Sequence, residues 1–200
     1  MPRLRTSTSS VTDSSPERSR REHKLCGIDE AGRGPLAGDL VMAGVILKND
    51  IEGLMDSKVL SEKKREALYP QIIENSLYHI VSFSPQQIDQ DGLSKCLGKG
   101  LESIMENLES EVYLFDGNQT FGVLGVSTMV KADAKVPEVS AASILAKVTH
   151  DHAIVKASKL YPLYGFEKHK GYGTKAHVAA IKEHGYCDLH RRSFKVKGLS

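Results

Sequence analysis

The chain has 200 residues, 40% of them hydrophobic and 6% aromatic, enough for one domain with one core. It contains no apolar run of roughly 18 residues, so no segment is expected to span a membrane. Its three cysteines, Cys26, Cys96 and Cys187, are scattered with no CxxC spacing, which argues against a disulfide framework and fits reduced thiols in a cytoplasmic protein. The net charge of +2 hides a segregation: eleven basic residues face nineteen acidic ones between Leu25 and Val155, and ten face three from Lys156 onward. An acidic body that could collect cations is followed by a basic end that could hold a polyanion. Two ordinary solvated surfaces would give the same counts.

Residues 1–23 are rich in Ser, Thr, Arg and Pro and poor in large apolar side chains, which predicts a disordered tail. Leu25–Asp29 and Asp39–Leu47 read as strands joined by a glycine-rich turn, Gly32–Gly38, hence an antiparallel hairpin. Asp56-Ser57-Lys58 follows, with Lys58 within reach of a phosphate or simply solvated. Ser61 then caps a helix through Ala67 and Leu68, which Pro70 should kink or end near Tyr69. Tyr78–Phe83 is a third strand. From Ser94, Leu97, Leu101, Ile104, Met105 and Leu108 recur at helical spacing, so this helix packs on a sheet.

Glu111–Phe115 is a fourth strand, ending in Asp116-Gly117-Asn118, and Val123–Val130 is a fifth, ending in Lys131-Ala132-Asp133. Pro137 and Ser140 introduce a long helix through Ile144, Leu145, Val148 and Ile154 that ends before Pro162. Lys147 and Asp151 lie four apart on it, the spacing of an exposed ion pair. Phe166–Thr174 is a basic, glycine-broken loop, and Thr174 caps a short helix that stops at Gly185.

Acids recur in one setting. Asp29 with Glu30, Asp116 and Asp133 each follow an apolar strand-like run. If those strands are neighbours, four carboxylates meet and repel one another unless cations are present. Such a set could hold two Mg²⁺ or Mn²⁺ ions, one activating a water for in-line attack on phosphorus and one stabilising the leaving oxygen. Alone, Asp-Glu before a glycine turn is also the pattern of a solvated strand end. Gly32 and Gly34 let backbone N–H groups approach a ligand, and Arg33 between them carries a fork suited to phosphate. Neither GxxxxGK[ST] nor GxGxxG occurs, which argues against a nucleotide-cofactor site.

GIDEAGRGPLAG (Gly27–Gly38), DSK (Asp56–Lys58), FDGN (Phe115–Asn118), KADAKVPEVSAASILAKVTHD (Lys131–Asp151), HKGYGT (His169–Thr174) and HRRSF (His190–Phe194) closely resemble bacterial ribonuclease HII, in the expected order. The resemblance implies an α/β ribonuclease H-like fold: a central five-stranded mixed sheet flanked by helices, with a helical C-terminal segment. It implies a catalytic domain over 24–200. It implies an endonuclease that cuts the RNA strand of RNA–DNA hybrids and nicks duplex DNA on the 5′ side of a single embedded ribonucleotide, leaving 3′-hydroxyl and 5′-phosphate ends.

By resemblance the metal ligands are Asp29, Glu30, Asp116 and Asp133. Gly32, Arg33 and Gly34 read the 2′-hydroxyl through backbone groups, and Tyr172 stacks on the sugar of the following deoxynucleotide. Lys58, Lys170 and Arg191 are assigned to phosphates. Ser143, Lys147 and Asp151 are either supports of the metal site or framework, and His169 shapes its loop. Expected partners are RNA–DNA hybrids and ribonucleotide-containing duplexes, bound by a monomer. The rivals are ribonuclease HIII, which carries a further N-terminal domain and usually a lysine at the position of Arg33, another two-metal nuclease of similar fold, and an inactive hybrid-binding module.

Overall fold

The computed structural model describes residues 24–54 and 60–196. The tail expected over 1–23 and the segment Asp56-Ser57-Lys58 lie outside the described residues. Strands β1 (Leu25–Ala31) and β2 (Leu40–Leu47) form the antiparallel hairpin that the glycine-rich turn predicts, with Asp29 opposite Ala43. β1 runs two residues further than its apolar pattern, so Asp29 and Glu30 are strand residues and project to opposite faces of the sheet. β3 (Ser76–Phe83) pairs antiparallel with β2. β4 (Val112–Asp116) lies parallel to β1, and β5 (Val126–Met129) parallel to β4. The sheet order is therefore β3-β2-β1-β4-β5, five strands of mixed direction. β5 is shorter than predicted, because Gly125 takes a φ of +82° that the ladder cannot accommodate.

Two helical layers cover the sheet. Cys26, Ile28, Leu40, Met42 and Ile46 face helix α3 (Leu93–Asn107), whose Leu97, Leu101 and Ile104 are fully buried against them. On the other face, Val41, Ala43 and Val45 meet α1 (Glu62–Asn75) and α4 (Pro137–Ser158). α4 starts with Pro137 in its first turn, as predicted, and it is buried on several sides rather than along one stripe. Ser140 contributes differently from a cap: its hydroxyl donates to the carbonyl of Leu54.

The structure corrects two local expectations. Pro70 does not end α1, which continues to Asn75. Leu68 and Ile72 are buried on either side of the proline, and Asn75 and Ser76 side chains cap the carbonyls of Gln71 and Ile72. Packing and these bonds outweigh the lost backbone donor. A helix α2 (Pro85–Asp91) follows β3 and was not anticipated. Its signal was local: Ser84 and Gln87 form a reciprocal capping box around Pro85.

β1 and α4 approach so closely that Gly27 has no space for a side chain. A Cβ there would sit 2.3 Å from the backbone carbon of Glu138 and 2.3 Å from the nitrogen of Val139. Gly27→Ala is therefore expected to destabilise the fold by about 1–3 kcal/mol, the usual cost of overpacking. Gly44→Ala should cost less, because its Cβ would meet the movable Ile104 side chain rather than backbone. Calorimetric melting of the two variants checks this order.

Candidate metal and nucleic-acid site

The site lies beyond the carboxyl ends of the parallel strands, where α/β sheets bind ligands. Ile28 is in register with Phe115, so Asp29 and Asp116 are the next residues on adjacent strands. Asp133 arrives on a 3-10 turn (Ala132–Ala134) just after β5. Asp29, Asp116 and Asp133 each offer a carboxylate oxygen, and these oxygens lie within 4.8 Å of one another. Asp133 is fully buried and Asp29 nearly so. The Ala132 N–H donates to Asp116 Oδ1 at 3.0 Å, the Glu30 N–H donates to Asp29 Oδ1 at 2.8 Å, and the Ser143 hydroxyl also bonds Asp29.

Burial pushes the Asp29 carboxyl well above its usual range, and the charges of Glu30 and Asp116 push it further. Burial also raises Glu30, with Arg33 opposing; the guanidinium Nη1 is 3.5 Å from Glu30 Oε1. Glu30 Oε2 is buried with no hydrogen-bond partner among the described residues. Anions crowded out of water with an oxygen left over are the complement of a hard cation. The donors are all carboxylates, with no histidine or cysteine among them, which fits Mg²⁺ or Mn²⁺ better than zinc.

A cleft of about 430 Å³ opens over these acids, and its walls bring the separate motifs together: Asp29, Glu30 and Asp116, the turn Gly32–Gly34, Ser143, Lys147 and Tyr172. Tyr172 is 41% exposed, and a Cβ on Gly34 would be 3.9 Å from its ring. Lys147 and Asp151 do form an ion pair at 2.9 Å, but it is partly buried, not an exposed surface pair. Lys147 Nζ sits 5.6 Å from the Tyr172 ring centroid, and Asp151 also bonds His150 Nδ1 at 2.9 Å. Burial works against the Asp151 anion, yet His150 and Lys147 hold its carboxyl below the ordinary range. Arg65, on the first turn of α1, also lines the cleft. Sequence reading passed over it because Lys63-Lys64-Arg65 gives no hint of which of the three faces inward.

The sequence profile of the family described as Ribonuclease HII matches residues 26–197, nearly the whole described chain. The chain belongs to the ribonuclease HII family. A ribonuclease HII of Sulfurovum sp. (strain NBC37-1) is 69% identical over 175 residues, covering 88% of this chain and 93% of that one. That of Aliarcobacter butzleri (strain RM4018) is 59% identical over 177 residues, covering 88% and 92%. Among solved structures, the PCNA:RNase HII complex from Archaeoglobus fulgidus superposes with a TM-score of 0.76 at 27% identity, covering 88% of this chain and 98% of that one. The protein is thus an endonuclease that hydrolyses RNA in RNA–DNA hybrids, and the ribonuclease HIII reading is set aside. No helix among the described residues is long and apolar enough to cross a membrane.

Two ribonuclease HII motifs take positions that their residue types did not announce. Arg191 is only 1% exposed, and its guanidinium donates to the carbonyls of Gly32 at 2.6 Å and Gly38 at 2.8 Å. The phosphate contact expected of it is corrected: its donors are spent on backbone and solvent cannot reach them. Lys170 lies outside the cleft wall, donating to the Glu167 carbonyl at 2.9 Å with Glu62 at 3.8 Å. His169 shapes its loop as expected, its Nε2 bonding the Tyr164 carbonyl at 2.8 Å.

His177, and His190 at the head of the HRRSF motif, to neither of which the sequence assigns a role of its own, are buried in the same region with Nε2 atoms 3.0 Å apart. Burial pushes His177 down to about 4 and lowers His190 as well. A histidine with a depressed folded pKa contributes its stability above the unfolded value of about 6.5, and loses it as pH falls toward the folded one. The segment 164–190 is therefore expected to loosen between about pH 6.5 and about pH 4. Faster amide exchange there than in β1 and β2 on acidification checks this.

Proposed function

We propose that the protein cuts RNA–DNA hybrids and also nicks duplex DNA on the 5′ side of a single embedded ribonucleotide, with Asp29, Glu30, Asp116 and Asp133 as ligands of two divalent ions. The observation that carries this reading is one cleft lined by Asp29, Glu30, Asp116, a glycine turn and an exposed tyrosine, with the buried Asp133 offering a carboxylate oxygen within 4.8 Å of those of Asp29 and Asp116. When bound, the ions supply an activated water and neutralise charge on the scissile phosphate and leaving oxygen. The protein's own groups hold and select the substrate. Gly34 is exposed and Gly32 lines the same cleft, so the turn presents backbone to the 2′-hydroxyl, the one group that distinguishes RNA from DNA at a given position. Arg33, half exposed, offers a phosphate fork beside them. Tyr172 stacks on the following sugar, which lacks the hydroxyl, with Lys147 behind its ring. Lys58 and Lys170 serve phosphates further along the strand.

Residues 24–200 constitute the catalytic domain on this reading, and the protein works as a cytoplasmic monomer on replicated DNA. The deciding experiment is a cleavage assay on a DNA duplex carrying one ribonucleotide, with Mg²⁺ or Mn²⁺ and with EDTA as control. A metal-dependent nick 5′ of the ribonucleotide is expected. Cleavage confined to runs of ribonucleotides would overturn the roles of Gly32–Gly34 and Tyr172. Binding without cleavage in either metal would overturn the ligand set.

A further inference from the structure

The ends of the two proposed ribose-reading elements meet on a single dipeptide near the C-terminus, His190-Arg191. Arg191 reaches the first element. Its Nη2 donates to Gly32 O at 2.6 Å, its Nε to Gly38 O at 2.9 Å, and its Nη1 to Arg33 O at 3.4 Å. The turn is thus held by one planar fork on both its arms. The backbone repeats the grip: Arg191 N–H donates to Leu36 O at 2.9 Å, and Gly38 N–H to Leu189 O at 2.8 Å.

His190 reaches the second element through His177. The Cys187 N–H donates to His190 Nδ1 at 2.9 Å, so the His190 proton is on Nε2. That proton faces His177 Nε2 at 3.0 Å, so the His177 proton is on Nδ1, where it meets the carbonyl of Tyr172 at 3.0 Å. Each proton has one place. The relay runs from a backbone donor to a backbone acceptor through two neutral imidazoles that are at most 2% exposed. The two elements also touch directly, because Leu36 N–H donates to Gly171 O at 2.8 Å, and a Cβ on Gly171 would lie 2.1 Å from Ala37 O.

We propose that His190 and Arg191 are positioning residues for substrate selection: together they fix the spacing between the glycine turn and Tyr172, so that cleavage at a lone ribonucleotide requires both to engage. The inference rests on the ribose-reading roles proposed above for Gly32–Gly34 and Tyr172. Long hybrids offer the cleft many equivalent registers and tolerate a loosened spacing. A single ribonucleotide offers one. Loss of the bracket therefore falls on the single-ribonucleotide duplex first, and on KM before kcat.

The test compares kcat and KM on a duplex with one ribonucleotide and on a hybrid with an all-RNA strand. His190→Leu is expected to lower the single-to-hybrid ratio of kcat/KM about 10-fold, the low end of what losing a supporting hydrogen bond costs a site. His190→Gln should restore the ratio, since its amide N–H can stand where the imidazole Nε2 proton stands. Arg191→Lys keeps the charge but loses the fork, and should lower the ratio in the same direction. Combining His190→Leu with Tyr172→Ala should lower the ratio no further than Tyr172→Ala alone. Equal losses on both substrates in His190→Leu, or independent losses in the double variant, would overturn the proposal.

Amide exchange separates its failure from that of the underlying reading. Faster exchange at Tyr172 and Thr174 in His190→Leu, with β1 and β2 unchanged, is expected and establishes that the variant is folded. Unchanged exchange at those amides overturns the bracket whatever the ratio. A ratio unmoved by Tyr172→Ala overturns the ribose-reading role itself.

Discussion

Asp116→Asn is expected to lower hybrid cleavage by more than about 100-fold, beyond the cost of losing only a bond that supports a metal ligand. Hybrid affinity measured in EDTA should stay within a few-fold. The substitution removes a ligand oxygen's charge and no proposed phosphate contact. It also leaves the local fold intact, because an asparagine Oδ1 can still accept from the Ala132 N–H. The same change should raise the melting temperature of the metal-free protein. Burial, Glu30 and Asp116 all push the Asp29 carboxyl upward, so ionising the cluster opposes folding at neutral pH. A raised carboxyl contributes its stability below the unfolded value and loses it as pH rises through the folded one, so the relief should be largest near neutrality. Conversely, Mg²⁺ should stabilise the wild type by mass action and the variant much less. Full activity of Asp116→Asn at ordinary Mg²⁺, or a melting temperature that falls in EDTA, would count against the ligand assignment.

Tyr172→Ala is expected to impair nicking at a lone ribonucleotide about 10-fold more than cleavage of a long hybrid, a difference of about 1.4 kcal/mol. The ring is 41% exposed over the cleft, so truncation removes a surface contact and leaves the buried cluster of Tyr164, Phe166 and Ile181 in place. Melting should therefore change little. Loss of the ring also uncovers Lys147, whose Nζ lies 5.6 Å from its centroid while its ion pair with Asp151 persists. Tyr172→Phe should retain the discrimination, because the stacking face is kept. Parallel kinetics on the two substrates check this, and equal losses on both would reject a junction-sensing role.

Much of this molecule follows from short-range pattern. Ser61 and Thr174 cap the helices they introduce, each side chain accepting from the N–H three residues on. Leu97, Leu101 and Ile104 recur at helical spacing and are fully buried. Alternating faces of β1 and β2 follow from the two-residue strand period. The acids were legible for the same reason, since each follows an apolar strand-like run, although only Asp116 ends its strand and Asp133 lies on the 3-10 turn after β5. Where local pattern misled, a second local effect or distant packing had intervened. Pro70 is tolerated because Leu68 and Ile72 anchor the helix on both sides of it.

Sequence by itself determined the family, the order of the strands and the glycine turn, and it singled out the acids, because these rest on residue type and spacing along one stretch. Tertiary structure alone decided which charges work at the surface and which work inside. Arg191 and Gly38 are 153 positions apart, yet a guanidinium that looked like a phosphate contact is bonded to that turn's carbonyls. His177 and His190 gained their meaning only when two buried imidazoles came within hydrogen-bonding distance. A cation's or an imidazole's role depends on whether it meets water, a carboxylate or a backbone carbonyl. That partner is supplied by the packing of remote segments, about which local periodicity carries no information.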